Sequence, residues 1–124
     1  MQRFFTYLIL AFVFTGITLE IAAQSVEQPP FDLTDQAQID AGKALFNARC
    51  AGYCHGAEGS SGRLTPFKGN SNLKADAVFQ VVTQGRSGNA GRMPSYEGTP
   101  EKARWQLVAY IMYLSRQPAA PSAQ

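Results

Sequence analysis

The sequence predicts an all-α domain of three or more helices joined by long glycine-rich loops. Three observations lead there. Three stretches carry apolar residues at helical spacing behind recognisable start signals. The two segments between them, residues 56–72 and 85–98, each hold four glycines and a proline. No stretch alternates apolar and polar residues well enough to predict a strand.

The elements follow in chain order. Arg3, the apolar run Phe4 to Phe14 (broken only by Thr6) and the small residues Ala22 and Ala23 read as a secretory signal. Residues 1–23 are therefore expected to be removed, with an uncleaved anchor as the alternative. The apolar run is shorter than the roughly 20 residues of a membrane span. Either outcome exports the domain to the periplasm, where disulfides are permitted. Residues 24–33, "QSVEQPPFDL", are polar with a proline pair and read as a linker.

The domain proper is expected over residues 34–116. Thr34 or Asp35 can cap a first helix that runs to about Ala48 or beyond, with Ile39, Gly42 and Phe46 near one face. Glycine costs about 1 kcal/mol against alanine inside a helix, so Gly42 predicts the close approach of another helix. "LKADAVFQVVTQG" predicts a second helix, with Asp76 near its start and Val78, Phe79 and Val82 apolar. Gly85 is suited to end it in the left-handed conformation. In the third helix Thr99 caps, Pro100 takes the first helical position and Glu101 favours the N-terminus. Trp105, Val108 and Met112, beside Leu107, Ile111 and Leu114, make a broad apolar face. The helix ends near Arg116, and residues 117–124 read as a flexible tail.

Without its first 23 residues the chain is a small domain with a marginal core. Its two cysteines, close in sequence, would staple little of it. A large apolar cofactor at the centre answers that need, and wrapping it gives the long loops a purpose. Net charge is +2, with no basic run, no repeat and no phosphate-cradling glycine loop, so no nucleic-acid partner is expected.

The chemistry concentrates in "RCAGYCHG", residues 49–56. A Cys-x-x-Cys-His run marks covalent attachment of c-type haem. Here Cys50, Cys54 and His55 form a run one residue longer. His55 is the single histidine. Zinc is a poor alternative, since structural sites take four protein ligands and catalytic sites three. A catalytic Cys–His pair is also poor, because adjacent residues rarely meet as nucleophile and base. Met93 is the other notable residue. Met1 is the initiator and Met112 lies on the apolar helix face, but Met93 sits in a glycine-rich loop before Pro94. Its thioether is a soft donor, and His/Met ligation raises the potential of haem iron.

From about Asp35 to Arg116 the chain resembles the class I cytochromes c of the small bacterial periplasmic type. "AGKALFNARCAGYCHG" resembles their first helix and attachment site, "GRMPSY" their methionine loop and "WQLVAYIMYLS" their last helix, with Gly42, Phe46 and Tyr110 at its packing positions. The resemblance implies helices and loops wrapped around a covalently attached haem c and its iron. It implies axial ligation by His55 and Met93, anchorage by Cys54 and Cys50, and a Pro66 carbonyl accepting from the His55 ring, which would orient the imidazole. It implies a periplasmic single-electron carrier, not an enzyme, working between redox proteins such as a periplasmic dehydrogenase and a terminal oxidase. Membrane contact is expected only if the N-terminal segment is uncleaved. A haem protein with an open sixth position, or a haem-free exported module with a Cys50–Cys54 disulfide, are the alternatives.

The long attachment run admits two arrangements. In one, both sulfurs bond the haem and the extra residue bulges, with Gly52 permitting unusual backbone angles. In the other, Ala51-x-x-Cys54-His55 sets the register and Cys50 is a spare thiol. The first is preferred, because a free thiol is a liability in an oxidising compartment. Arg63, Lys68, Arg86 and Arg92 lie in the loops expected around the haem. They are either ordinary solvated surface or a positive face that steers toward an acidic partner.

Overall fold

A computed structural model describes residues 27–60 and 64–119. The expected signal segment 1–23, Arg63 and the last residues of the tail lie outside the described residues. Helix α1 spans Gln36–Arg49, α2 spans Ala75–Gln84 and α3 spans Glu101–Ser115. A π-helical turn, Ala51–His55, and a 3-10 turn, Ala57–Gly59, follow α1. No helix of the described residues is long and apolar enough to cross a membrane.

Asp35 caps α1, its carboxylate accepting from the Ala37 N–H at 2.8 Å. Thr34 does not share that role, because its N–H and hydroxyl both donate to the Asp32 carboxylate, at 2.8 and 2.7 Å. Ile39, Gly42 and Phe46 form the buried face, as their spacing predicts. Gly42 lies where α1 crosses α3. A Cβ there would come 1.9 Å from the Gln106 carbonyl oxygen, so only glycine lets the two backbones touch. Beside the crossing, the Phe46 and Tyr110 rings meet edge-on at 5.4 Å, and Gln106 Nε2 donates to Gln38 Oε1 at 2.9 Å.

The central element is α3, which buries Trp105, Leu107, Val108, Ala109, Tyr110, Ile111 and Leu114. On one side it packs against α1; on another, Trp105 stacks on Phe79 of α2 at 4.1 Å between centroids. Met112 is partly buried against the Phe79, Trp105 and Val108 cluster, in the packing role its position predicts. Arg104 ties α2 to α3, with Nη1 donating to the Thr83 hydroxyl at 2.5 Å and the guanidinium 4.9 Å from the Phe79 ring centroid.

Three expectations need correction. Thr99 does not cap α3. Pro100 occupies the N-cap position with extended backbone, and no side chain caps the helix. A capping oxygen reaches the second or third helical N–H only from the N-cap itself, and Thr99 is one residue too early. Gly85 does end α2 with a positive φ of 77°, but its ψ of 179° is extended and not left-handed helical. The chain therefore leaves α2 heading straight into a strand.

The third correction is that strand. Within the segment read as loop, β1 (Arg86–Gly88) pairs antiparallel with β2 (Gly91–Met93), in the register Arg86 with Met93, Ser87 with Arg92 and Gly88 with Gly91. Asn89 and Ala90 make the turn. Every hairpin residue except the half-buried Met93 is exposed. A ribbon with no buried face writes no alternating pattern, so its backbone pairing is invisible in the sequence.

Candidate functional site

The chain does not break at the end of α1. The Cys50 N–H still donates to the Phe46 carbonyl at 2.8 Å, four residues back. The next turn is wider: the His55 N–H donates to the Cys50 carbonyl at 3.1 Å, five residues back. Ala51–His55 is thus a single π-turn, a rare form that recurs at functional sites. Gly56, at φ 70°, turns the chain away from it. Gly52 was expected to supply unusual backbone angles. Its φ is not positive, and a Cβ on it would meet open space. The extra residue is absorbed by the wider turn, not by a glycine kink.

His55 is half-buried, its ring stacked on Phe67 at 5.3 Å and tilted against Phe46 at 6.0 Å. Burial holds its pKa below the ordinary histidine value. The neutral imidazole, which has a lone pair to give, is thereby favoured. Met93 closes β2 and packs on the core cluster containing Phe46 and Tyr110, as do Cys50, Phe67 and Tyr96. Cys50 and Met93 thus pack on the same core cluster, and His55 lies against Phe46, a member of it.

The methionine segment is tied down from α2. The Ser95 hydroxyl donates to the Thr83 carbonyl at 2.6 Å, and the Tyr96 N–H to the Val82 carbonyl at 3.1 Å. A Cβ on Gly85 would fall 2.6 Å from the Met93 carbonyl oxygen, so the missing side chain makes room for that segment.

Cys50 and Cys54 are free thiols, the first half-buried and the second exposed. Burial pushes the Cys50 thiol up, against a hydrogen bond from the Tyr96 hydroxyl that lowers it. The Tyr96 hydroxyl is pushed up too, by its burial and then by both cysteines. Pro66 is exposed, and its neighbour Phe67 is the residue that stacks on His55. Phe67 and Tyr96 are the two residues that sequence reasoning missed. Both lay inside segments noted for another residue, Pro66 and Met93, and neither spacing nor residue type set them apart.

The expected positive face is thinner than its residues suggest. Lys68 is paired with the Glu58 carboxylate, whereas Arg86 and Arg92 are exposed on the hairpin. Among the described residues no group of three or more His, Cys, Asp or Glu side chains could hold a bare metal ion. The donors that these segments carry are the His55 imidazole against Phe46, the Met93 thioether and the half-buried Cys50 thiol on the core cluster, and the exposed Cys54 thiol. That set fits a large planar apolar group bonded to the chain through sulfur, with a metal taking nitrogen and sulfur.

Residues 37–111 match the family described as "Cytochrome C oxidase, cbb3-type, subunit III". The chain is 36% identical over 101 residues to the Cbb3-type cytochrome c oxidase subunit CcoP of Rubrivivax gelatinosus, covering 77% of this chain and 33% of that protein. It is 34% identical over 110 residues to the quinohemoprotein alcohol dehydrogenase ADH IIB of Pseudomonas putida, covering 81% of this chain and 16% of that one. The chain thus spans about a third of one relative and a sixth of the other.

Proposed function

The chain belongs to the c-type cytochrome family described as cytochrome C oxidase, cbb3-type, subunit III, and from that premise we propose that it is a periplasmic single-electron carrier of class I type. Its cofactor is a c-type haem with iron. When bound, that haem takes up and returns one electron, and His/Met ligation sets its potential high.

The chain's own residues hold, orient and shield the group. Cys54, and Cys50 with it, would hold the haem through sulfur. His55 would offer the iron its imidazole nitrogen, in the neutral form that burial favours, and the Pro66 carbonyl would accept from its ring. Met93, on a segment fastened to α2 through Ser95 and Tyr96, would offer the iron its thioether sulfur. Phe46, Phe67 and Tyr96, on or against the core cluster, would help exclude water from the group. The observation that carries this reading is that Cys50, at the start of the π-turn that ends in His55, and Met93, 38 positions after that histidine, pack on the same core cluster.

The partners are redox proteins, with a periplasmic dehydrogenase as donor and a terminal oxidase as acceptor. The two relatives, an oxidase subunit and a dehydrogenase, support partners of that kind. The N-terminal segment directs export, and membrane contact arises only if it stays attached.

The test is spectroscopic. The full chain, made in a host with a c-type haem maturation system, should hold haem that acid acetone does not extract. Its ferric form should show the methionine-to-iron charge-transfer band, and Met93→Ala should abolish that band while leaving the haem bound. Extractable haem, or a band that survives Met93→Ala, sinks the proposal.

A further inference from the structure

We propose that Cys50 and Cys54 are both bonded to the haem, and that the π-turn Ala51–His55 is what allows a Cys-x-x-x-Cys-His run to present both sulfurs. The inference rests on the reading that the chain carries covalent haem, and it decides between the two arrangements that the sequence leaves open.

An α-turn joins the N–H of one residue to the carbonyl four residues back. In a Cys-x-x-Cys-His run, such a turn links the histidine N–H to the first cysteine. In this chain the same two ends are linked although one more residue lies between them: the His55 N–H donates to the Cys50 carbonyl at 3.1 Å. The i→i+5 bond takes the additional residue inside the ring. Cys50 and His55 remain the two ends of one hydrogen-bonded turn, and Cys54 keeps its place directly before the histidine.

The competing arrangement needs the other register. With Ala51-x-x-Cys54-His55 as the unit, a continued α-helix would bond the His55 N–H to Ala51, leaving Cys50 outside the turn as a spare thiol. The backbone adopts the first register.

The side chains agree. Cys50 is half-buried on the same core cluster as Met93. The surplus faces outward instead, where Gly52 is exposed and Tyr53 is 85% exposed.

The reaction takes both cysteines as thiols. Each S–H adds across one haem vinyl group. The sulfur bonds the carbon next to the ring, the hydrogen goes to the terminal carbon, and the S–H bond and the vinyl π bond are lost. Nothing is oxidised or reduced, and no group leaves.

Two readouts on the full chain, matured in the host described above, test this. They are the α-band of the alkaline pyridine haemochrome and the number of thiols that iodoacetamide labels in the unfolded, reduced protein. The wild type should show two saturated vinyls and no labelled thiol, and Cys50→Ala should shift the band to that of one saturated vinyl. Deleting Tyr53, which restores the shorter run, should leave the wild-type band unchanged. A wild-type band identical to that of Cys50→Ala, with one label per chain on Cys50, overturns the inference while leaving covalent haem in place. Absence of haem from the wild type overturns the reading beneath it, so the two failures are told apart.

Discussion

Glu58 is the single described non-glycine residue with a positive φ, at φ 54° and ψ 28°. Left-handed backbone costs an ordinary residue roughly 1–2 kcal/mol. Against that cost stands an exposed ion pair with Lys68, worth about 0–1 kcal/mol. The strain outweighs the pair, so a residue that tolerates this backbone should do as well. Glu58→Asn, which keeps a turn-forming side chain, is expected to stay within about 1 kcal/mol of the wild type by urea unfolding. The pH dependence has a definite sign. Hydrogen bonding and charge from Lys68 hold the Glu58 carboxyl below its ordinary value of 4.5. A depressed folded value makes the contribution of the pair present at neutral pH and lost as pH falls below that range. Unfolding of wild type and Glu58→Asn compared on both sides of that range should show only the wild type losing this small increment.

At the scale of elements, the crossing of α1 and α3 is the joint on which the rest depends, since α1 leads directly into the π-turn Ala51–His55. Gly42→Ala sets two effects against each other. Alanine recovers about 1 kcal/mol of helix propensity. Its Cβ would lie 1.9 Å from a backbone oxygen of α3, a clash that no rotamer relieves. Overpacking of a tight contact typically costs 1–3 kcal/mol and can cost more, so the clash wins. The variant is expected to melt roughly 4–16 °C lower by far-UV circular dichroism. An unchanged midpoint would show that the helices can separate without cost. The hairpin is the opposite kind of element. It has no core of its own and holds its place through Met93, Gly85, Ser95 and Tyr96 against α2.

At the scale of the whole molecule, the core among the described residues is a modest set of eleven buried apolar residues, most of them on α3. Long loops return to that core at few points, chiefly Phe67, Met93 and Tyr96, and these border the proposed haem site. A domain this small gains little surplus from its own burial. A chain that cannot hold haem, such as the double variant Cys50→Ala, Cys54→Ala, should therefore lose about 2–4 kcal/mol, or roughly 8–30 °C in melting temperature, by calorimetry. A sharp melt at the wild-type temperature would mean that the protein part is stable by itself.

Periodicity was enough to locate the three helices and the close contact at Gly42, because buried faces leave local marks; residue type singled out positions 50, 54, 55 and 93 as candidates, and position 66 came from the family resemblance alone. Tertiary structure decided what no local mark records. The hairpin exposes both faces, so its residues carry no pattern. Phe67 and Tyr96 matter only through the chain segments that bring them to His55 and Cys50. The width of the turn after α1 is set by which carbonyl the His55 N–H reaches. A one-residue insertion can be read from the sequence, but the way the backbone takes it up is a choice between hydrogen bonds. That choice is made only when helix α1 is fixed against α3 and His55 is packed on Phe46 and Phe67.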